Sequence, residues 1–427
     1  MRADARHGAH VPRARAAECE IAVVGGGLVG MSLALALGRA GVSVSLIDAG
    51  STQEPGASAY DARPIALSQS SRRILGALSV WGGVREHVTP IEQIHVSDRG
   101  HFGFARLRAE DQEVDALGYV ASAANLGAAL QAALESAPAV RILRPAMVEE
   151  VARDRRSSLG LVIAAPGDGP GGAVPSRVHA KLVVLCDGGR SPLRDRLGIA
   201  AEERDYGQWA LTARVEARCA HRRVAYERFT AAGPLALLPM AGHDCGLVWS
   251  MDEARARELL TLDDQGFLRA LGEQFGTRLG GFVSAGPRGA FPLRLITASA
   301  VVDERLAIIG NAANHLHPVA GQGLNLGLRD AAALAEIVAA TWRAGGDPGE
   351  GAPLGRYAAW RRADQRRVSR ATDALVHLFS NSFPPLVAAR GLGLLAFDLF
   401  PPAKRLFAGH AMGLSGRQSR LARGLGP

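Results

Sequence analysis

Cysteine is scarce in this chain: there are four in 427 residues, with no CxxC or CxxxxC pair among them. Cys19, Cys186, Cys219 and Cys245 are scattered, which suits a reducing cytosol and argues against a redox-active disulfide. Lysine is scarcer still. Only Lys181 and Lys404 occur, so the formal net charge of +8 rests almost wholly on arginine. That skew, with abundant Ala and Gly, is what a GC-rich genome produces. Aromatic residues make up 5% of the chain, and no Arg-rich helix interleaves them, so a nucleic-acid surface is not expected. An anionic membrane surface or the phosphates of a nicotinamide nucleotide are better partners for a basic face. No window offers eighteen clean apolar residues, so no transmembrane helix is expected. The opening MRADARHGAHVPRARAAE has no apolar core and is no secretory signal. It lacks Ser and contains Asp4 and Pro12, so residues 1–19 read as a disordered bacterial extension rather than a mitochondrial transit segment. The expected location is cytoplasmic, with peripheral contact at the inner face of the cytoplasmic membrane.

What is present is more specific. Ile21 to Val24 is a short apolar run, and Gly25-x-Gly27-x-x-Gly30 turns it into a helix expected over Leu28 to Ala40. Gly25 permits a tight turn, Gly27 admits a pyrophosphate to the main chain, and Gly30 allows close helix–strand packing. The helix N-terminus offers free N–H groups and partial positive charge to phosphate. A second strand, Val42 to Ile47, ends at Asp48, whose carboxylate suits ribose hydroxyls and repels a 2′-phosphate. This unit alone does not separate NAD from FAD. No second strand–GxGxxG–helix unit follows, so a separate nicotinamide domain of the usual kind is missing.

Two further segments add to it. Leu182 to Cys186 is a buried-strand run broken at Asp187-Gly188-Gly189, with Ser191-Pro192 starting a short helix. A carboxylate there sits where ligands bind in open α/β sheets, although a simple Asp-Gly turn explains it equally well. The third runs LAIIGNAANHLHPVAGQGLNLGLRDA from Leu306 to Ala331. Leu306 to Ile309 reads as a buried strand capped by Gly310-Asn311, and a helix starts near Gly323-Leu324-Asn325 and runs to about Trp342. Gly321 and Gly323 let main chain approach a flat ring, and a helix N-terminus aimed there stabilises negative charge. His315-x-His317 has no Cys, Asp or Glu nearby to complete a metal site, so no metal is expected.

Beyond these segments stand DARPIALS at Asp61 to Ser68, HVSDRGHFGF at His95 to Phe104, ERFTAAGPLALLPM at Glu227 to Met240 and DALVHLFSN at Asp373 to Asn381. With them, from Glu20 to about Met412, the chain resembles the FAD-dependent aromatic hydroxylases of ubiquinone biosynthesis, which share the para-hydroxybenzoate hydroxylase fold. The VSDRGHFG and VHLFSN runs carry the likeness best, since a generic flavoprotein has no reason to contain them. The resemblance implies FAD as cofactor, NADPH or NADH as transient reductant, and a polyprenylated phenol such as 2-polyprenyl-6-methoxyphenol as substrate. It implies oxygen transfer from O₂ to the ring through a flavin C4a-hydroperoxide, with the protein excluding water. It also implies a hydrophobic partner surface, a membrane or a quinone-biosynthesis protein complex. Most relatives have Gly-Asp where this chain has Gly310-Asn311; an amide can bond the same hydroxyls without charge.

The cofactor set expected from motif and resemblance is Gly25, Gly27, Gly30, Asp48, Arg63, Asn125, Asp187, Gly188, Asn311, Pro318, Gly321, Gly323, Leu324 and Asn325. Arg63 resembles an Arg that lies against the flavin in this class, and Asn125 opens a helix expected over Leu126 to Leu134. His317, directly before Pro318 in the flavin-facing loop, is the expected catalytic residue with Arg63, because imidazole can assist phenol ionisation near neutral pH. A loop-bracing role for His317 remains open.

The expected fold is α/β: a discontinuous Rossmann-like FAD-binding domain from residues 20–80, 118–200 and 286–345. An inserted, mainly antiparallel β-sheet substrate domain comes from 81–117 and 201–285, with strands at Trp209 to Ala217, Val224 to Thr230, Leu235 to Met240 and Cys245 to Met251. Residues 346–427 form a C-terminal helical region, in which Leu386 to Phe400 is apolar on nearly every face and Lys404-Arg405 follow. That segment either packs on the FAD domain or meets membrane or a partner. Three readings stay open beside the main one. They are hydroxylation of another ring position or phenol, a silent FAD-binding subunit of a quinone-biosynthesis complex, and a flavin-dependent prenyl-lipid reductase.

Overall fold

The computed structural model describes residues 17–50, 63–155, 157–164, 176–318, 321–379 and 384–427. Asp61 and Ala62 of the DARPIALS run, residues 165–175, and Ser380 and Asn381 of the VHLFSN run lie outside the described residues, as do residues 1–16.

Five parallel strands form the centre of the first sheet, in the order Val140–Leu143, Val44–Ile47, Ala17–Val24, Ser176–Leu185, Leu306–Ile308. The expected disordered extension stops short of residue 19, because Ala17 to Cys19 pair in parallel with Val178 to Ala180. Alternation along the first strand divides two cores. Ile21 and Val23 face the helices Leu28–Arg39 and Gln322–Arg343, while Ala22 and Val24 face an antiparallel layer that includes Leu159, Leu161 and Ile163. Burying each such Leu or Ile contributes roughly 1.5–3 kcal/mol.

A nine-stranded, mainly antiparallel sheet holds the four strands expected around residues 209–251, together with Gln93–Asp98 and Phe104–Arg108. One boundary moves: Gly289–Ala298, expected in the FAD-binding part, pairs along Ala201–Ala217 and so belongs to this second sheet. One face of the sheet packs Leu235, Leu247 and Trp249 on the helices Glu253–Thr261 and Asp264–Phe275, through Phe267 and Leu271. The opposite face looks toward the first sheet. A three-stranded sheet, Pro64–Ser68, Gly118–Ser122 and Thr89–Ile91, lies between the two in the chain.

The C-terminal helices Gly351–Phe379, Pro384–Leu399 and Pro401–Ala411 complete the molecule. The second does not simply cover the first sheet; it packs on the strand Phe104–Arg108 and its turn. Contact is backbone to backbone. A Cβ on Gly391 would sit 2.7 Å from the carbonyl oxygen of Phe102, and one on Gly103 (φ +97°) would overlap that of Gly391. Beside it, the Arg390 Nε–H donates to Asp98 Oδ2 at 2.8 Å, with both side chains buried. Gly103 and Asp98 of the VSDRGHFG run thus serve helix docking.

Candidate active site

One cavity of about 2150 Å³ separates the two sheets, and the three glycine-bearing segments meet along it. Gly25 adopts φ +103°, and a Cβ there would lie 2.5 Å from the Cys186 carbonyl oxygen, so the first segment is fitted directly against the second. Gly27 is different. Its backbone is extended (φ −70°, ψ 177°) and a Cβ would meet no protein atom within 4 Å, because its free side faces the cavity. It is also the N-cap of Leu28–Arg39, and no side chain caps that helix, so the first-turn N–H groups are left for a ligand. Asp48 closes this end, its Oδ2 2.7 Å from Arg144 Nε. Gly26 must be glycine for that pair to cross the turn: a Cβ would stand 2.6 Å from both Arg144 and Asp48.

At the second segment, Ser191 Oγ donates to Asp187 Oδ2 at 2.7 Å and accepts from the Arg194 N–H, capping the short helix Pro192–Arg196. Asp187 Oδ1 is buried with no hydrogen-bond partner among the described residues. Burial, only partly offset by Ser191, raises this carboxyl above its ordinary range. A buried acceptor facing a cavity needs a donor, and a ligand hydroxyl would supply one. Arg194 also donates to the Ala312 carbonyl at 3.1 Å, tying the second segment to the third.

In the third segment, Gly321 (φ +59°) is the N-cap of Gln322–Arg343, again with no side-chain cap among the described residues. Gly321, Gly323, Leu324, Asn325, Pro318 and the exposed Asn311 all line the cavity, and a Cβ on Gly323 would lie 3.9 Å from Asn311 Oδ1. Asn325 is committed internally. Its Nδ2 donates to Ala66 and Gly321 carbonyls at 2.8 and 2.7 Å, and its Oδ1 accepts from Ser68 N–H at 2.8 Å and Ser71 Oγ at 2.7 Å. It therefore positions the helix start against Pro64–Ser68 rather than offering its amide to a ligand. Arg63, just before that strand, lines the cavity, as do Asp187 and Gly188.

Three expected residues do not reach the cavity wall. Gly30 is internal to the fold, where a Cβ would overlap the Gly25 carbonyl oxygen. Asn125 is corrected: the helix runs Ala123–Glu135 with Ser122 as its N-cap, leaving Asn125 on the exposed face while Ala124, Gly127 and Ala128 line the cavity. His317 is corrected as the ring-side histidine. Its side chain is fully buried outside the lining, edge-on to Tyr206 at 5.2 Å between centroids, and burial lowers its pKa to about 4. His315, two residues earlier, is the one on the wall; burial lowers its pKa as well. Sequence reading passed over Arg144 and Gly26. The position of Arg144, at the C-terminal end of a parallel strand, is the signal that marks such residues.

The residues fit FAD. Two uncapped helix N-termini border one cavity, one suited to a diphosphate and one to the anionic edge of a reduced isoalloxazine, with Asp48 and the unpartnered Asp187 oxygen available to hydroxyls. When bound, FAD supplies the redox and oxygen-activating chemistry that this polypeptide lacks.

Fold and site together define a flavoprotein monooxygenase, and comparison with known proteins agrees. Residues 18–372 match the family model described as FAD binding domain. A Rhodospirillum rubrum protein, ubiquinone hydroxylase UbiL, is 40% identical over 409 residues, covering 95% of this chain and 93% of its own length. The 3-demethoxyubiquinol 3-hydroxylase of Escherichia coli is 33% identical over 404 residues, covering 92% and 98% respectively. Among solved structures, p-nitrophenol 4-monooxygenase PnpA of Pseudomonas putida superposes with a TM-score of 0.77 at 20% identity, over 94% of this chain and all of that one, a likeness of fold. The chain belongs to the FAD-dependent hydroxylases of ubiquinone biosynthesis.

Proposed function

We propose that this enzyme hydroxylates the ring of 2-polyprenyl-6-methoxyphenol, using NADPH or NADH and O₂. The observation that carries the reading is the shape of the cavity. A single space runs from the glycine turn and Asp48 to an apolar wall formed by the nine-stranded sheet and by Leu394, Phe397, Phe407 and Ala408 of the C-terminal helices. At about 2150 Å³ it exceeds the roughly 300–1000 Å³ of an ordinary ligand pocket, so cofactor, ring and part of an apolar chain fit together. The relatives named for ubiquinone and demethoxyubiquinol support the same class of substrate.

The prenyl chain enters past the last two long helices. Leu392, Leu395, Leu399, Phe400 and Leu406 are exposed there, next to Lys404 and Arg405, on the same helices that line the cavity. No helix among the described residues is long and apolar enough to cross a membrane. An apolar crown edged by cations suits the surface of an anionic bilayer. A protein of a quinone-biosynthesis assembly is the other occupant of that face, and retention of activity with loss of vesicle binding separates them.

The deciding experiment is lipid analysis of an aerobically grown strain lacking the gene. Accumulation of the 6-methoxy derivative of 2-polyprenylphenol, cleared when the gene is restored, is expected, whereas accumulation of 2-polyprenylphenol itself assigns the enzyme to another ring position. Normal quinone with no precursor refutes the substrate assignment.

A further inference from the structure

We propose that Glu227 is a catalytic residue: its carboxylate accepts the hydrogen bond of the substrate's phenolic hydroxyl and takes that proton during ring attack. This rests on the reading that the substrate is a phenol.

The placement follows from strand register. Glu227 pairs with Val96 on one side and Ala236 on the other; Ala236 pairs with Val248, and Val248 with Thr212. Every member of this cross-strand row lines the cavity. Side chains on one face of a sheet repeat every second residue, and Ala225 and Phe229 on the same strand line it too. That row is therefore apolar except for Glu227 and the hydroxyl of Thr212.

Glu227 makes no hydrogen bond or ion pair with any described residue. Two charged neighbours are engaged elsewhere. Arg228, on the other face of its strand, donates to the Gln274 carbonyl, and Asp98 on the next strand is held by Arg390. His95 stacks on Phe104, and burial, followed by the positive charge of Arg278, lowers its pKa to about 4. Arg63 and His315 also line the cavity. Burial alone raises the Glu227 carboxyl to about 7. A carboxylate left without a partner in an apolar wall is costly, and a ligand that donates to it removes the cost.

The step balances simply. The phenolic O–H proton passes to Glu227, and the phenolate's electron pair moves into the ring as a ring carbon bonds the oxygen that bound, O₂-charged FAD would supply; the electron pair of the broken O–O bond would stay on the oxygen left with the flavin. The proton lost from that ring carbon would neutralise that oxygen, and as aromaticity returns Glu227 gives its own proton back to the phenolic oxygen. A neutral His317 sealed away from the cavity has no such access.

The test uses FAD-loaded wild type, Glu227→Gln and Glu227→Asp with 2-prenyl-6-methoxyphenol. Glu227→Gln keeps the flavin spectrum and its reduction by NAD(P)H, loses hydroxylation by on the order of 10²–10⁴-fold, and diverts O₂ to H₂O₂. The wild-type acid limb near pH 7 disappears in Glu227→Gln and persists in Glu227→Asp at intermediate rate. Hydroxylation by Glu227→Gln at the wild-type rate with the same acid limb overturns the proposal. Should wild type hydroxylate no phenol, the substrate reading fails, and binding still decides this one. Phenol affinity read from the flavin absorbance weakens below pH 7 in wild type but not in Glu227→Gln, whereas identical profiles overturn the assignment.

Discussion

Two glycines three residues apart in the same turn are expected to fail in opposite ways. Gly30→Ala places a methyl on the Gly25 carbonyl oxygen and 3.3 Å from Cys186 Cβ, both part of the packed interior. Alanine favours a helix interior over glycine by about 1 kcal/mol, but overpacking against backbone costs roughly 1–3 kcal/mol and often more, so the net is destabilising. At a few degrees per kcal/mol, the apoprotein should melt roughly 2–6 °C lower. Gly27→Val puts its side chain into open cavity at a backbone conformation any residue adopts. The loss of a glycine N-cap is offset by the smaller entropy of the unfolded chain, leaving the apoprotein within about 1 kcal/mol of wild type. The same side chain stands where the diphosphate must approach the first-turn N–H groups. Losing one charge-assisted hydrogen bond costs about 1.5–3 kcal/mol, which is roughly 10- to 150-fold in flavin Kd. Calorimetry of the apoprotein and fluorescence titration with FAD separate the two effects. A Gly27→Val protein that melts early yet binds FAD normally would sink this account of the motif.

Asp187→Asn should weaken FAD binding while steadying the apoprotein at neutral pH. Because burial raises the folded carboxyl, the folded state binds protons more readily than the unfolded one. Apoprotein stability therefore falls as pH rises from 3.8 through the raised value, and the Asn variant should lose that slope in a series of melts between pH 4 and 8. His317→Ala is expected to lower the melting temperature, by roughly 1–3 kcal/mol of lost packing against Tyr206, while FAD binding and the acid limb of hydroxylation stay in place. Loss of that limb in His317→Ala, measured on the same phenol, would return the histidine to the chemistry.

Much of the cofactor end was legible because glycine motifs report local backbone demands. Gly25, Gly27 and Gly321 stand out in sequence since tight turns, positive φ and bare helix N-termini leave few alternatives. Asp48 and Asp187 were legible by their place at the ends of apolar strand runs. Asn125 misled because an Asn just before an apolar run reads as a helix opener, whereas the helix starts at Ala123 with Ser122 as its N-cap. His317 misled because proximity in sequence to Pro318 says nothing about which way a loop side chain turns; it went inward and His315 outward.

Sequence by itself determined the class of fold, the strand–turn–helix unit and the order of the three segments, because each follows from short-range sterics and hydrophobic alternation. It also carried the family, through runs such as VSDRGHFG whose purpose it did not disclose. The tertiary structure supplied that purpose: Gly103 and Asp98 meet Gly391 and Arg390 across nearly three hundred residues. It also decided which face of the nine-stranded sheet is covered by helices and which bounds the cavity. A strand's period of two leaves both faces equivalent until something packs on one of them. That choice is what makes Glu227, an unremarked letter in an apolar strand, the lone carboxylate on the sheet wall of the cavity among the described residues.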